Sequence, residues 1–475
     1  MAKDKETREE RKARRRERRR AEQALPIVQA QALPAVPVRL DPAVVLGDID
    51  AWNLRAEGGW LRFDARLEDG ARAYLRPLAG GDAIADAPGP LLAVLGIGGP
   101  RRAGFNAGPA RFRFNVLAPA DDIGGVGLEG TALAEPASGL QHLRHRSREA
   151  LLADTLLGWR HAARRGLPLF FVRAETDTSA GIEALGNGAA FGNFCTALDS
   201  LCAAAGTLGR PAQVLAMGLD FGLEDVVTAD AGALAAGIRA LMARITQEMR
   251  QRDLPPPVFL AVAEAGTARI SDHPAIRAMQ ELAWCPGPHR LIVTAPSYMA
   301  AQDRFGRPTE AGRQLLAEMD AHALAACAEG EGWRCPLPVL AEYSGRQIRV
   351  LFDAQQDLVI DPRDPFRAGA AAGFRIIGTG PESRIRSVKV AADDPRSLIL
   401  TCDRAPEGPA PRLLHACALE AAAGDAGPIN RSAIRDTWQA AGSDGADLHR
   451  WALPADLPLH PGPAGKAAAP EGQKR

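Results

Sequence analysis

Several common chemistries are missing from this chain. Its 475 residues include only seven cysteines, at positions 195, 202, 285, 327, 335, 402 and 417. None forms a C-x-x-C pair or a metal-ligand spacing, so a structural metal site is not expected. The thiols read as small core residues of a reducing compartment, with Cys195 and Cys202 two turns apart on one helix face. Cys327 and Cys335 flank a loop and could pair, but the sequence does not demand it. No window holds about 18 continuous apolar residues, which excludes a membrane-spanning helix as an expectation. No internal repeat of fixed period is found. No apolar stretch follows the N-terminus before Pro26, so no secretory signal is read. The expected location is the cytoplasm, with a phage-like particle as the alternative.

Net charge is also absent, since 57 basic residues face 57 acidic ones. The balance is uneven along the chain. Residues 1–25 carry 11 Lys/Arg and 6 Asp/Glu, which leaves the remainder with 46 basic and 51 acidic residues. Glu9, Glu10 and Glu17 interrupt the basic run, and a solvated tail is its first reading. An arm for nucleic acid is the second.

What is present is an ordered alternation. Residues 1–40 read as a basic tail and a Pro- and Ala-rich linker, and residues 41–88 as a small β element. In the latter, Trp60, Arg62 and Asp64 alternate with Leu61, Phe63 and Ala65, and Asp69-Gly70 turns the chain into a second alternating run. From 89 to 335 the expectation is an α/β domain. Strand-length apolar runs lie at 91–95, 167–172, 213–219, 257–263 and 290–294. Helical patterns separate them, most clearly at 230–251, where Leu234, Ile238, Leu241, Ile245 and Met249 make one stripe. Ser271 and Asp272 are candidate caps for a helix through 284. Pro308 and Thr309 open a last helix with Leu315, Leu316, Met319 and Leu324 inward. Continuously apolar strands separated by helices imply about five parallel strands covered on both faces, a three-layer α/β/α arrangement. Residues 336–460 hold short strands spaced by Asp, Pro and Gly and read as a sandwich-like β-rich module. Residues 461–475 read as a disordered tail.

In such a sheet, ligands bind beyond the carboxyl ends of the strands. The first predicted strand ends in Gly96-Ile97-Gly98-Gly99. The second ends in Glu175-Thr176-Asp177-Thr178-Ser179-Ala180-Gly181-Ile182, and the third in Leu219-Asp220-Phe221-Gly222-Leu223-Glu224-Asp225. The fourth ends at Glu264 and the fifth at Ser297-Tyr298. Asp303-Arg304-Phe305-Gly306-Arg307-Pro308-Thr309-Glu310-Ala311-Gly312 then precedes the last helix. A dinucleotide reading of the glycine turn fails, because the third glycine of G-x-G-x-x-G is Arg101. No cofactor is expected.

This order resembles the SGNH (GDSL-like) hydrolases, and among them the sialate O-acetylesterase-like carbohydrate esterases. That family has a GQSN-type turn with the nucleophile, a GGTSI-like stretch, a W-x-QGE-x-D stretch, and a D-x-x-H-x-T-x-x-G stretch with the Asp and His. Gly222, Asp225, Asp303, Thr309 and Gly312 match these motifs. The resemblance implies that Gly98 occupies the nucleophile position and Gly99 that of the oxyanion-hole Asn. The histidine position falls on Gly306 or Arg307, and Phe221 and Leu223 replace Gln and Glu. A hydrolase of this type needs a serine activated by histidine, with a carboxylate to orient it. Only Asp303 is retained, so fold is implied more strongly than activity.

The expectation is a non-catalytic protein that binds a glycan or a protein partner. Its candidate pocket is Glu175, Asp177, Asp220, Phe221, Gly222, Asp225, Glu264 and Tyr298, without metal. The alternative is a carbohydrate O-acetylesterase with a displaced nucleophile, Ser179 or Ser297, with His273 and His289 in the right half of the chain.

Overall fold

Alternation of apolar and polar residues gives the first sheet. In β2 (Trp60–Leu67), Leu61, Phe63 and Ala65 are buried while Arg62 and Arg66 are exposed. The structure, a computed structural model, describes residue 46 and residues 49–67, 70–220, 230–264, 273–303, 305–417 and 430–462. The basic N-terminal run and residues 463–475 lie outside the described residues, as do Phe221, Gly222, Asp225 and the caps Ser271 and Asp272. Strand β2 pairs with β3 (Gly70–Pro77) as the expected hairpin. Strands β1 (Ala51–Glu57) and β4 (Ile84–Ala85) extend it to four antiparallel strands.

The next sheet is built from runs with no polar face. Strand β5 (Leu91–Gly98) is followed by β6 (Asn106–Ala107), β7 (Val116–Pro119), β8 (Leu140–His142) and β9 (His145–Arg146). Helix α1 (Arg148–Ala162) leads to β10 (Leu169–Thr176), which is buried throughout. Helices α2 (Ile182–Asn187) and α3 (Ala189–Thr207) precede β11 (Ala212–Leu219). Helix α4 (Ala231–Gln251), β12 (Val258–Ala263), α5 (His273–Trp284), β13 (Leu291–Pro296) and α6 (Glu310–Ala328) complete the series. Seven of these nine strands form the sheet, in the order β13-β12-β11-β5-β10-β7-β8, and β6 pairs with β9 apart from it. All neighbours are parallel except β7 and β8.

There are thus six parallel strands, one more than expected. The extra one is β7, four buried residues that none of the expected strand runs covers. The stripe on α4 is buried as its spacing requires, and the Asp230 carboxylate caps this helix by accepting from the Ala233 N–H at 2.9 Å. Full burial of each such apolar side chain contributes about 1.5–3 kcal/mol. The right-handed crossover rule puts α1 on one face and α3, α4 and α5 on the other. Helix α6 returns to pack against α1. The chain direction across the sheet reverses at β5, and the crevice beyond its carboxyl end is where such folds bind ligands.

The C-terminal strands are β14 (Leu337–Ser344), β15 (Gln347–Asp353), β16 (Leu358–Ile360), β17 (Phe374–Ile377), β18 (Ile385–Val390), β19 (Ser397–Cys402), β20 (Arg412–His415), β21 (Ile434–Ala441), β22 (Asp447–Trp451) and β23 (Ala455–Pro461). Seven of them form one sheet, in the order β17-β20-β23-β14-β15-β19-β18, and β16, β21 and β22 form another. Val350, Phe352, Leu400 and Ile434 are buried in the core that the two sheets share. From Asp50 on, the chain forms one compact unit; of the unit Met1–Ile49, only two residues are described. Ties between the two halves are specific. The Tyr298 hydroxyl donates to the Ala452 carbonyl at 2.6 Å, and the Trp333 indole N–H donates to the Thr294 carbonyl at 3.1 Å. All seven cysteines are free thiols, Cys327 and Cys335 included. Among the described residues, no helix is long and apolar enough to cross a membrane.

Candidate functional site

The carboxyl end of β5 is tied down from both sides. The Asp177 N–H donates to the Gly98 carbonyl at 3.0 Å, and the Asp220 N–H to the Ile97 carbonyl at 3.1 Å. This brings Asp220 directly over Gly98. A Cβ on Gly98 would sit 2.8 Å from the Asp220 Cβ and 2.9 Å from its carbonyl oxygen. The position that the resemblance gives to a nucleophile therefore lacks a side chain and also lacks room for one.

After Gly99 and Pro100 the chain folds back. The Arg102 and Ala103 N–H groups both donate to the Gly99 carbonyl, at 3.1 and 3.3 Å. The turn sends two consecutive arginines into the protein. Arg102 is only 3% exposed. Its Nε donates to the Asp220 carboxylate at 2.8 Å, and its terminal NH1 donates to Glu149. The Arg102 side chain lies against Gly96 with its Cδ and against Gly218 with its guanidinium, and these two glycines face each other across β5 and β11. A Cβ on Gly218 would collide with the guanidinium, and one on Gly96 with the Glu149 carboxylate. Burial opposes the charge of Arg102, but Asp220, Glu149 and Asp320 outweigh it and hold the group above its usual pKa. Next to this group, Arg148 grips Asp320 with two hydrogen bonds of 2.7 Å, and the Thr294 hydroxyl donates to the same carboxylate at 2.6 Å.

Arg101 fills the other half of the crevice. It is 7% exposed, donates through Nε to the Gly306 carbonyl at 3.3 Å, and pairs with Glu264 at 2.9 Å. Burial raises the Glu264 pKa, Arg101 opposes that shift, and the nearby charge of Asp220 adds to it. The Ser297 hydroxyl is a further influence that lowers that pKa. Gly98, Asp220, Glu264 and Gly306 are thus connected, but through arginines that sequence reasoning passed over. A signal was available in Gly-Gly-Pro-Arg-Arg after an apolar strand, together with glycines at matching depth in neighbouring strands.

Glu175 sits on β10, 2% exposed. Arg173 approaches it at 3.4 Å, but that guanidinium also donates to Asp121 and to the Gly124 carbonyl. Burial pushes the Glu175 carboxyl up to about 7, only partly countered by Arg173. The Asp177 carboxylate accepts from the Ser179 N–H at 3.0 Å and hydroxyl at 2.8 Å, a local turn. Asp303 organises its own loop, where its carboxylate accepts from the Phe305 and Arg307 N–H groups at 2.8 and 2.9 Å. Gly306 has φ +75°, Arg307 is exposed, and its guanidinium lies 5.8 Å from the centre of the Phe305 ring. Thr309 caps α6. Tyr298 is buried, bonded to Ala452 and packed on Phe366 at 5.4 Å; it joins the β-rich strands instead of facing the crevice.

Among the described residues, one imidazole bonds a serine hydroxyl. His415 Nε2 lies 2.8 Å from the Ser432 Oγ, and Nδ1 lies 2.9 Å from the Leu453 carbonyl. That pair is buried among β-rich strands, where burial lowers the imidazole to about 4. It is a satisfied core histidine. His289 lies edge-on to Phe259 at 5.7 Å. Among the described residues, no group of three or more His, Cys, Asp or Glu side chains could hold a metal ion.

No family model matches the sequence, and no curated protein matches it. Among solved structures, the chain is similar to the crystal structure of a novel carbohydrate acetylesterase from Xanthomonas citri. The TM-score is 0.50 at 14% identity, over 82% of this chain and 85% of that one. The crystal structure of NanS matches over 51% of this chain and 99% of that one, at 10% identity and a TM-score of 0.37, too low to weigh. The first likeness is one of fold: a mixed α/β region followed by β-rich strands, as in a carbohydrate esterase.

Proposed function

We propose that this chain is an SGNH-type α/β/α protein that does not hydrolyse esters and acts by binding a glycan or a protein partner. One observation carries the reading. The space over Gly98 is taken by Asp220, whose carboxylate Arg102 holds in place, and no room is left there for a nucleophile. Catalysis of acyl transfer needs a hydroxyl, a base and oxyanion donors converging on one open point. Loss of a whole triad leaves only weak residual rate enhancement. Asp303, the one retained member, spends its carboxylate on backbone N–H groups of its own turn.

A second reading has one observation in its favour, the influence of the Ser297 hydroxyl on the buried Glu264 carboxyl, whose pKa it lowers. It would make Ser297 the nucleophile of a displaced acetylesterase. Against it, Ser297 is 3% exposed, and the carboxylate beside it is already paired with Arg101. Ser179, the other candidate, donates its hydroxyl to Asp177 within its own turn.

Release of acetate from acetylated sugars and of p-nitrophenol from p-nitrophenyl acetate tests the proposal. The expected result is background hydrolysis, unchanged by Ser297→Ala or Ser179→Ala. Robust turnover abolished by either substitution overturns it.

A further inference from the structure

A second concavity lies on the other side of α1. It has a volume of about 510 Å³ and lies between α1, α6 and the turn joining β21 to β22. This is within the range of small-molecule clefts, about 300–1,000 Å³. Its lining includes none of the crevice residues described above. We propose that this cleft binds a neutral, hydroxyl-rich sugar of about two pyranose rings. The inference builds on the binding reading above and gives the glycan a place apart from the crevice.

The aromatic part of the cleft is held rigidly. Trp159 lines it and is 37% exposed. Its ring packs on His322 of α6 at 4.6 Å. His322 in turn meets Trp438 at 5.2 Å, and Trp438 meets Trp333 at 4.8 Å. This column fixes the indole before any ligand arrives. The negative face of an indole attracts the slightly positive C–H edge of an apolar ring face, and a pyranose offers such a face on one side with hydroxyls around its rim.

The polar part suits those hydroxyls. The Glu318 carboxylate is oriented by the Gln314 amide at 2.7 Å, by the Ser443 N–H at 3.1 Å and by the Ser443 hydroxyl. The Asp154 carboxylate is oriented by the Arg111 and Phe112 N–H groups at 2.9 and 3.1 Å. A carboxylate has about four lone-pair sites, so acceptor capacity remains on both. Donors come from Arg111 and Arg146, and the Arg146 Nε is buried without a hydrogen-bond partner among the described residues. Two guanidiniums balance two carboxylates, so the cleft has no net pull on an anion. A wholly apolar ligand would strand these groups at a desolvation cost. A sugar meets both requirements, because each hydroxyl donates and accepts.

Isothermal titration calorimetry on the full chain tests this, with lactose, cellobiose and N,N′-diacetylchitobiose as probes and inorganic phosphate as the anionic control. The expected result is saturable heat with at least one disaccharide and none with phosphate. Trp159→Ala and Arg111→Ala should each weaken binding by about tenfold or more, while Trp159→Phe should stay within a few fold. Circular dichroism checks the fold of each variant. If Trp159→Ala does not fold, Arg111→Ala on the cleft wall decides. No heat with any of the three disaccharides overturns the proposal, as does binding untouched by the folded variants, or heat with phosphate alone. The ester assay above is independent of this test. Hydrolysis alongside cleft binding refutes only the non-catalytic reading, whereas silence in both assays refutes only the sugar cleft and leaves a protein partner.

Discussion

Glu175 offers a direct measure of how strongly this interior resists charge. Its carboxyl has an ordinary value of 4.5 and is pushed up to about 7, first by burial, with Arg173 opposing. Arg173 cannot do more because Asp121 and the Gly124 carbonyl already share it. A carboxyl whose folded pKa is raised holds its proton more tightly in the native state than in the unfolded chain. Its stabilising contribution is therefore complete below about pH 4.5 and is lost as pH rises toward 7. At about 1.4 kcal/mol for each tenfold change in the equilibrium, the loss is about 3 kcal/mol between pH 4 and pH 8. Glu175→Gln keeps the shape and removes the titration. Urea denaturation of both proteins at several pH values, taken as a difference, isolates this one group. The variant should match the parent near pH 4 and exceed it by about 1–3 kcal/mol at pH 8. Curves that run parallel across that range refute the reasoning. So does a variant that is less stable than the parent at pH 8, since the carboxylate would then be ionised and usefully paired with Arg173.

Two further outcomes follow from the crevice and a third from the cap of α6. Arg102→Met leaves Asp220 and Glu149 buried without their partner and should cost about 3–5 kcal/mol in urea denaturation; a change under about 1 kcal/mol would show that the ion lattice is peripheral. Gly98→Ser puts a Cβ 2.8 Å from the Asp220 Cβ, so it should cost about 1–3 kcal/mol and give no acetate release; measurable esterase activity would refute the steric argument. Thr309→Ala removes the hydroxyl that accepts from the Gly312 N–H at 3.2 Å and should cost about 1 kcal/mol by thermal or urea unfolding; no change would mean that α6 is capped by other means.

Much of the architecture could be read from pattern, and the reasons differ by element. The five runs expected as core strands are β5, β10, β11, β12 and β13, since parallel strands covered on both faces must be continuously apolar. Helix α4 was legible because one buried stripe needs a 3.6 period. Strand β7 was not, being too short to show a period and set among Phe, Arg and Gly. The parallel partnership of β14 with β23 joins positions more than a hundred residues apart, and no local pattern carries it. In the crevice, the sequence named the strand-end carboxylates Asp220 and Glu264 and the empty position at Gly98. It did not show which cations answer them, because an arginine after a turn reads as exposed until its burial by neighbouring glycines is seen. Tyr298 misled for the opposite reason: its place after a strand end suggested the crevice, while its hydroxyl found an acceptor in Ala452.

The position of β23 sets a condition on how the chain can be made. This strand, Ala455–Pro461, lies in the interior of the seven-stranded sheet, antiparallel to β20 on one side and parallel to β14 on the other. Every other strand of that sheet is synthesised before this interior member exists. A nascent polypeptide halted upstream of Ala455 would present two unpaired edges, each a template for pairing with other chains. Closure of the sheet must wait for the last strand to leave the ribosome, and premature stop codons in this stretch should yield aggregation in place of a shortened soluble product.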